Sequence, residues 1–438
     1  MTGLSSARLD DLKKKIFVTG LMLVVYRISA QVPVPGVNPV ALQAYWETTS
    51  GGLFDLINTF SGGAFKKLSV VALGIMPYIT TSIIFSLLAE VFPALQELQE
   101  DSEGHKKIQR WTRYATVILC LFQGFGMATY FESFRTSSGG LVVTDPGMMF
   151  RITSTITLCA GTMFLLWLGE RMTEFGLENG VSLIIFAGIA VELPTEIMQR
   201  ITMYNNGDLT LLKLLGIFAV MASCFFIVCF IERAFRNIPV QYAKKVVHNR
   251  VYGGGTQTLP MKVDTAGVMP PILAYSLISA PATLANFAGQ NSSFKIYLDK
   301  VVASLQPGEM LFNVILGALI FYMAYFYAPI QFKTKKITDN LQKNNAFIPG
   351  IRPGSKTKEF LDFILNRLTT ISALYLCVIC ILPSVLIDTS TQISGTALLI
   401  LVSVCIRVMM NIQTFIHSER YENAYKVRGK HKGSKKRF

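Results

Sequence analysis

Charge is what this sequence has least of. Asp, Glu, Lys and Arg make up 16% of its 438 residues, against about 25% in soluble domains. A chain so poor in charge cannot cover a soluble surface of its size, which excludes an ordinary water-soluble architecture. Histidine is scarce as well: His105, His248, His417 and His431 are scattered through polar segments and form no HExxH zinc motif. Gly253-Gly254-Gly255 is not followed by Lys-Ser/Thr, so there is no Walker A loop. The seven cysteines (Cys120, Cys159, Cys224, Cys229, Cys377, Cys380 and Cys405) all lie in apolar runs. Cys377 and Cys380 have CxxC spacing but no second pair and no nearby histidine, which fits small residues packing inside a membrane helix better than a metal site. Hydropathy places no carboxylate pair in the middle of a span. These absences weigh against catalysis, resident cofactors and ion-coupled transport. Residues 1–15 are polar and basic, and the first apolar run has no small-residue cleavage site at its end, so no cleavable signal is expected.

What is present is apolar length. Hydrophobic residues make up 51% of the chain and the mean hydropathy is +0.43. Runs long enough to cross a bilayer, which takes roughly 20 apolar residues, are expected at Ile16–Gln31, Leu68–Val91, Thr112–Phe131, Met149–Leu168, Gly180–Glu196, Leu209–Ile231, Gly267–Phe287, Glu309–Ile330, Leu368–Ile387 and Thr391–Ile416. That is one polytopic helical bundle of ten spans with both ends on the same side. With the termini in the cytoplasm, 31 of the 41 Lys and Arg residues fall inside and 8 outside, leaving Arg27 and Arg407 within spans. The excess of inside cations fixes this orientation. It also puts most of the net charge of +14 on the cytoplasmic face, where it can attract anionic lipid or dock a partner, RNA-rich ones included.

Two cytoplasmic loops exceed what a connector needs. One runs over about 232–265, the other over about 331–367, where Pro349-Gly350-Ile351-Arg352-Pro353-Gly354 puts Arg352 on a turn tip. Both carry turn chemistry and apolar residues (Val246, Val247, Val251, Phe347, Ile348) and are expected to be ordered protrusions. The tail from 417 to 438 is basic. Arg27 and Arg407 would each cost about 2.5–3.5 kcal/mol at a helix centre, and snorkelling to the nearer interface is the expected escape.

The stretch from Ser50 to Glu90 does not fit a simple span. Leu53, Leu56, Ile57 and Phe60 have helical spacing, but Ser61-Gly62-Gly63 ends that segment before it could cross a membrane. It reads either as a re-entrant helix, tolerated at membrane depth only where buried or lining a cavity, or as an amphipathic helix on the surface.

Several stretches resemble the SecY family, the channel subunits of the bacterial protein-export translocon. They are Val32-Pro33-Val34-Pro35-Gly36, Gly74-Ile75-Met76-Pro77-Tyr78-Ile79, Asn179-Gly180-Val181-Ser182, Arg250-Val251-Tyr252-Gly253-Gly254, Leu259-Pro260-Met261-Lys262-Val263 and the Arg352 turn. They occur in order over about 13–425. The resemblance implies an all-α membrane protein of two inverted five-helix halves, 1–206 and 207–416, around a central pore in the bacterial cytoplasmic (inner) membrane. It implies a plug at about 53–64 that blocks the outer funnel, with Leu53, Phe54, Leu56, Ile57 and Phe60 as plug residues. It implies a waist of Ile79, Ile83, Ile185, Ile189, Ile272 and Ile400. It implies a lateral gate at the second and seventh spans, carrying Thr80, Thr81, Ser82 and Ser86 on one side and Tyr275 on the other, with the three consecutive hydroxyls available to bond across it. Arg250, Arg352 and Tyr421 become docking residues. Expected partners are SecE- and SecG-type small membrane subunits, the SecA ATPase, the ribosome, signal sequences and nascent chains, and membrane lipid. The chain departs from the family pattern at Glu178, Asn249 and Arg407. A secondary transporter of inverted repeats and a structural assembly subunit remain as alternative classes.

Overall fold

The computed structural model describes residues 6–48, 58–132, 134, 141–243, 245–247, 250–252, 255–287, 304–305, 309–386 and 395–434. Helices dominate: α1 (Ser6–Ser29), α2 (Pro39–Thr48), α3 (Met76–Val91), α4 (Pro93–Glu100), α5 (Ser102–Glu132), α6 (Met148–Phe175), α7 (Gly180–Asn205) and α8 (Leu211–Glu232). After β1 (Phe235–Tyr242), β2 (Lys245–Val247), β3 (Arg250–Tyr252) and β4 (Thr256–Lys262) come α9 (Met269–Phe287), α10 (Met310–Gln331), α11 (Thr334–Lys343), β5 (Ala346–Phe347), α12 (Ser355–Leu386) and α13 (Gly395–Ser434). Among the described residues, seven helices are long and apolar enough to span a membrane, or eight if α3 and α4 count as one broken span.

The second expected span is shorter than hydropathy suggests. Residues 62–75 are a chain of turns, and α3 starts only at Met76 and runs for 16 residues. Gly74 at φ +59 and Leu68 at φ +40 take left-handed backbone that a helix cannot include, and Pro77 then sits in the first turn of α3, where its missing N–H costs nothing. The irregular backbone is buried in protein and paired: Val34 N donates to Leu68 O at 2.9 Å, and Val70 N donates to Val32 O at 2.9 Å. Phe92 is extended because Pro93 follows it, and α4 leaves α3 at 115°.

The two long loops are not separate protrusions. β1 pairs antiparallel with β4 from Phe235↔Lys262 to Gln241↔Thr256, and its far edge takes β5 through Gln241↔Phe347 and Tyr242↔Ala346. Alternation along β1 turns Ile238 and Val240 inward, against Met261, Ile348, Leu361 and Leu365. The sheet therefore has its own apolar core, seated on the start of α12.

Candidate functional site

All six isoleucines expected at a constriction are buried, and all belong to one large apolar cluster. Ile79 and Ile83 come from α3, Ile185 and Ile189 from α7, Ile272 from α9 and Ile400 from α13. Each pair lies one helical turn apart and so shares a face. Phe60 and Tyr275 join the same cluster, with ring centroids 6.3 Å apart. An apolar centre gives water no hydrogen-bond partner, and such constrictions seal by dewetting.

Beside this cluster lies a helical turn at 58–61. Leu53, Phe54, Leu56 and Ile57 fall outside the described residues; of the expected plug residues Phe60 is described. The turn is held by polar contacts to α1 and α7. The Tyr26 hydroxyl donates to Ser61 O at 3.1 Å, and Arg27 Nη1 donates to Gly62 O at 2.7 Å. Asn58 Nδ2 donates to Glu192 Oε1 at 2.8 Å, while Asn58 Oδ1 accepts from Lys66 N at 3.0 Å. The Ser61 hydroxyl donates to Asn58 O and accepts from Phe65 N, closing the turn on itself. Gly62 lies against Gly188 of α7 so closely that a Cβ on Gly62 would stand 2.5 Å from the Gly188 Cα.

Sequence reasoning missed most of this latch. Arg27 reads as a snorkelling residue, yet its guanidinium is turned inward onto Gly62. An arginine inside an apolar span was the available signal. Hydropathy ends the fifth span at Glu196, but α7 continues to Asn205. Glu192 and Glu196 thus form an i, i+4 carboxylate pair in mid-helix, which corrects the expectation that no such pair exists. Glu192 faces Lys66 and Arg27 electrostatically as well as Asn58, which gives it a structural occupation.

Of the expected gate residues, Thr80 and Ser82 are half-buried on α3. Thr81 turns its hydroxyl back to Pro77 O at 2.7 Å, and Ser86 to Ser82 O at 2.9 Å. Thr81 is therefore engaged with its own helix rather than reaching across to α9, the usual alternative for a hydroxyl in a helix. Tyr275 is buried on α9, which packs against α5 and α10. Arg352 is exposed between Gly350 at φ +81 and Gly354 at φ +100, and its carbonyl accepts from the Thr357 hydroxyl at 3.1 Å. Arg250 sits on β3 opposite Val247 and Tyr421 on α13, but both side chains fall outside the described residues, as does Asn249. Glu178 accepts from the Asn411 amide and so ties the α6–α7 connection to α13. Arg407 keeps Nε and Nη2 buried without a partner among the described residues.

A mostly helical, multi-pass membrane protein with a small antiparallel sheet and a large buried apolar cluster is the class these features define. A family model for SecY matches residues 69–409. The protein translocase subunit SecY of Escherichia coli K12 is 41% identical over 423 residues, covering 95% of each chain. Its counterpart in Rickettsia bellii is 39% identical over 421 residues, covering 95% of this chain and 96% of the relative. The chain belongs to the SecY family. In fold it is similar to a solved protein-conducting channel (TM-score 0.66, 17% identity, 93% of each chain). It is also similar to Sec61 in the canine ribosome-channel complex from the endoplasmic reticulum (TM-score 0.61, 16% identity, 93% of each chain).

Proposed function

We propose that this chain is the protein-conducting channel of a bacterial translocon. It passes unfolded secretory polypeptides across the membrane and releases transmembrane segments sideways into lipid. It is not an enzyme in this reading; the work comes from a SecA-type ATPase or the ribosome docked on the cytoplasmic sheet around Arg250 and Arg352, with Tyr421 in the tail. Ten spans form two inverted halves, 1–206 and 207–416, in the cytoplasmic membrane, with both termini inside. SecE- and SecG-type subunits complete the assembly. The six isoleucines form the waist, residues 53–64 the plug, and α3 and α9 the gate through which signal sequences leave.

The observation that supports this best is the meeting of Ile79, Ile83, Ile185, Ile189, Ile272 and Ile400 with Phe60 in one buried apolar cluster. Isoleucine is bulky and stiff at χ1, and its contacts are non-directional, so a ring of it closes without selecting what passes. The carboxylate pair on α7 would suit an ion-coupled transporter, but Glu192 already binds the plug turn through Asn58. The test is photocross-linking of a stalled secretory chain to vesicles with a probe at Ile79 or Ile189. Adducts with the stalled chain at both positions are expected; adducts only at lipid-facing control positions such as Phe226 would overturn the channel reading.

A further inference from the structure

Where the cytoplasmic sheet meets the membrane helices, five elements converge on a buried ionic cluster. α8 ends at Glu232, which is fully buried. The chain leaves as β1, returns along β4 to Lys262, and passes through Asp264 into α9. The Lys262 ammonium donates to one Glu232 oxygen, and the Ser403 hydroxyl of α13 donates to the other. Asp264, only 1% exposed, accepts at Oδ1 from the Ser372 hydroxyl of α12 at 2.7 Å and from Gly267 N at 2.9 Å. The second bond fixes the turn that starts α9, where Gly267 adopts φ +65. Val263 N donates to Ala234 O at 3.1 Å and closes the hairpin base. Asp264 Oδ2 and the Tyr375 hydroxyl, one turn beyond Ser372, are both buried without a partner among the described residues. Burial, and then the charge of Glu232, raise the Asp264 carboxyl above the usual carboxylate range, against the pull of Lys262.

A tether alone needs no such cluster. Apolar residues of the same volume hold two elements together as well as a buried ion pair or better, whereas a pair fixes register and punishes displacement. This cluster joins three bodies: the sheet through Lys262, the first turn of α9 through Asp264 and Gly267, and the framework of α8, α12 and α13 through Glu232, Ser372 and Ser403. Resting on the reading of the chain as a partner-driven channel, we propose that Glu232, Lys262 and Asp264 are positioning residues that convert displacement of the docked sheet into movement of α9. A load on the sheet arrives at Lys262. Glu232 is anchored on two framework helices, so the five residues between Lys262 and Val268 take up the motion and hand it to α9.

The test uses the full chain with its partner subunits in proteoliposomes, with spin labels on α3 at Glu90 and on α9 at Leu277, both exposed. Addition of the SecA-type ATPase with a non-hydrolysable nucleotide is expected to change the label distance in wild type. In Lys262→Met the shift is lost and ATP-driven export falls about tenfold or more, the scale of an orphaned buried charge, while ATPase affinity changes less than about twofold, because the cluster does not touch the partner. Lys262→Met combined with Glu232→Gln removes both charges and is expected to recover at least half of the export. Asp264→Asn keeps the acceptor for Ser372 and Gly267 and is expected to keep the shift, whereas Asp264→Leu loses it. A folded Lys262→Met, or an Asp264→Leu, that retains the wild-type shift overturns the coupling role. A wild-type chain that neither binds the ATPase nor exports would instead overturn the channel reading on which it rests.

Discussion

Arg27 and Gly62 lie 35 residues apart in the chain, and the guanidinium of the first donates to the carbonyl of the second at 2.7 Å. A cation in an apolar helix costs about 2.5–3.5 kcal/mol at its centre. Here that charge is turned inward, where it grips the end of the turn at 58–61.

Replacing Arg27 with Met keeps the volume and removes the donor. Hydrogen bonds to charged groups contribute about 1.5–3 kcal/mol, so the closed-to-open ratio is expected to fall by roughly one to two orders of magnitude. Single-channel recording on the purified variant is expected to show spontaneous openings. A folded variant as silent as wild type rules the latch out.

The glycine contact gives a second, steric route to the same state. A Cβ on Gly188 would meet the Gly62 Cα and N at 3.2 Å and the Tyr26 hydroxyl at 3.1 Å. Overpacking of this kind costs about 1–3 kcal/mol. Gly188→Ala is expected to loosen the plug while α7 itself stays helical, alanine being the better helix former. Protease accessibility at residues 58–64 should rise in resting vesicles; unchanged cleavage there together with an unchanged leak would falsify the prediction.

At the proposed constriction, Ile400→Asn places a donor and an acceptor among the five remaining isoleucines and is expected to stabilise water there. Ion current from the resting channel and export of proteins with defective signal sequences are expected. If the isoleucines merely pack, the variant loses melting temperature and gains no current, so a melting curve run beside the recording separates the two.

Arg352 is exposed on its glycine-flanked turn, while the adjacent Ile351 packs on the apolar core of the sheet. Arg352→Glu is expected to leave the unfolding free energy within about 0.5 kcal/mol of wild type, as surface changes do, and to reduce ATPase-driven export by at least about tenfold when the ATPase is limiting, because a reversed charge repels at a docking contact. Export equal to wild type at limiting ATPase would remove Arg352 from the docking surface.

How much of this was legible in the sequence depends on how far apart the participants lie. Apolar length alone located α5, α6, α8 and α10, because each is a run that nothing interrupts. The break over 62–75 was half legible: Gly62, Gly63 and Gly74 mark it, but the buried pairing of Leu68 and Val70 with Val32–Val34 involves partners that no local pattern connects. The sheet was missed for the same reason, since Gln241 and Phe347 pair across a whole set of membrane helices. The isoleucines were found only through resemblance to a family, as periodicity cannot distinguish a face toward a pore from a face toward lipid. Glu192 and Glu196 escaped because hydropathy puts them in the last turn or two of the expected fifth span, while α7 continues as helix past them to Asn205. The direction of the Thr81 hydroxyl was not legible, because a helix offers a serine or threonine its own carbonyl one turn back.

The latch reads backbone more than side chain. Tyr26 and Arg27 both grip carbonyl oxygens, those of Ser61 and Gly62, and every residue type supplies the same oxygen. Apart from Asn58, which Glu192 holds by its amide, Ser61, whose hydroxyl closes the turn, Phe60, which packs in the apolar cluster, and the glycine that lets two backbones touch, the composition of the proposed stopper is expected to be free to drift while its path stays fixed. Among relatives, the holders on α1 and α7 would be preserved longer than the segment they hold, and a stopper transplanted from one chain into another would still seat.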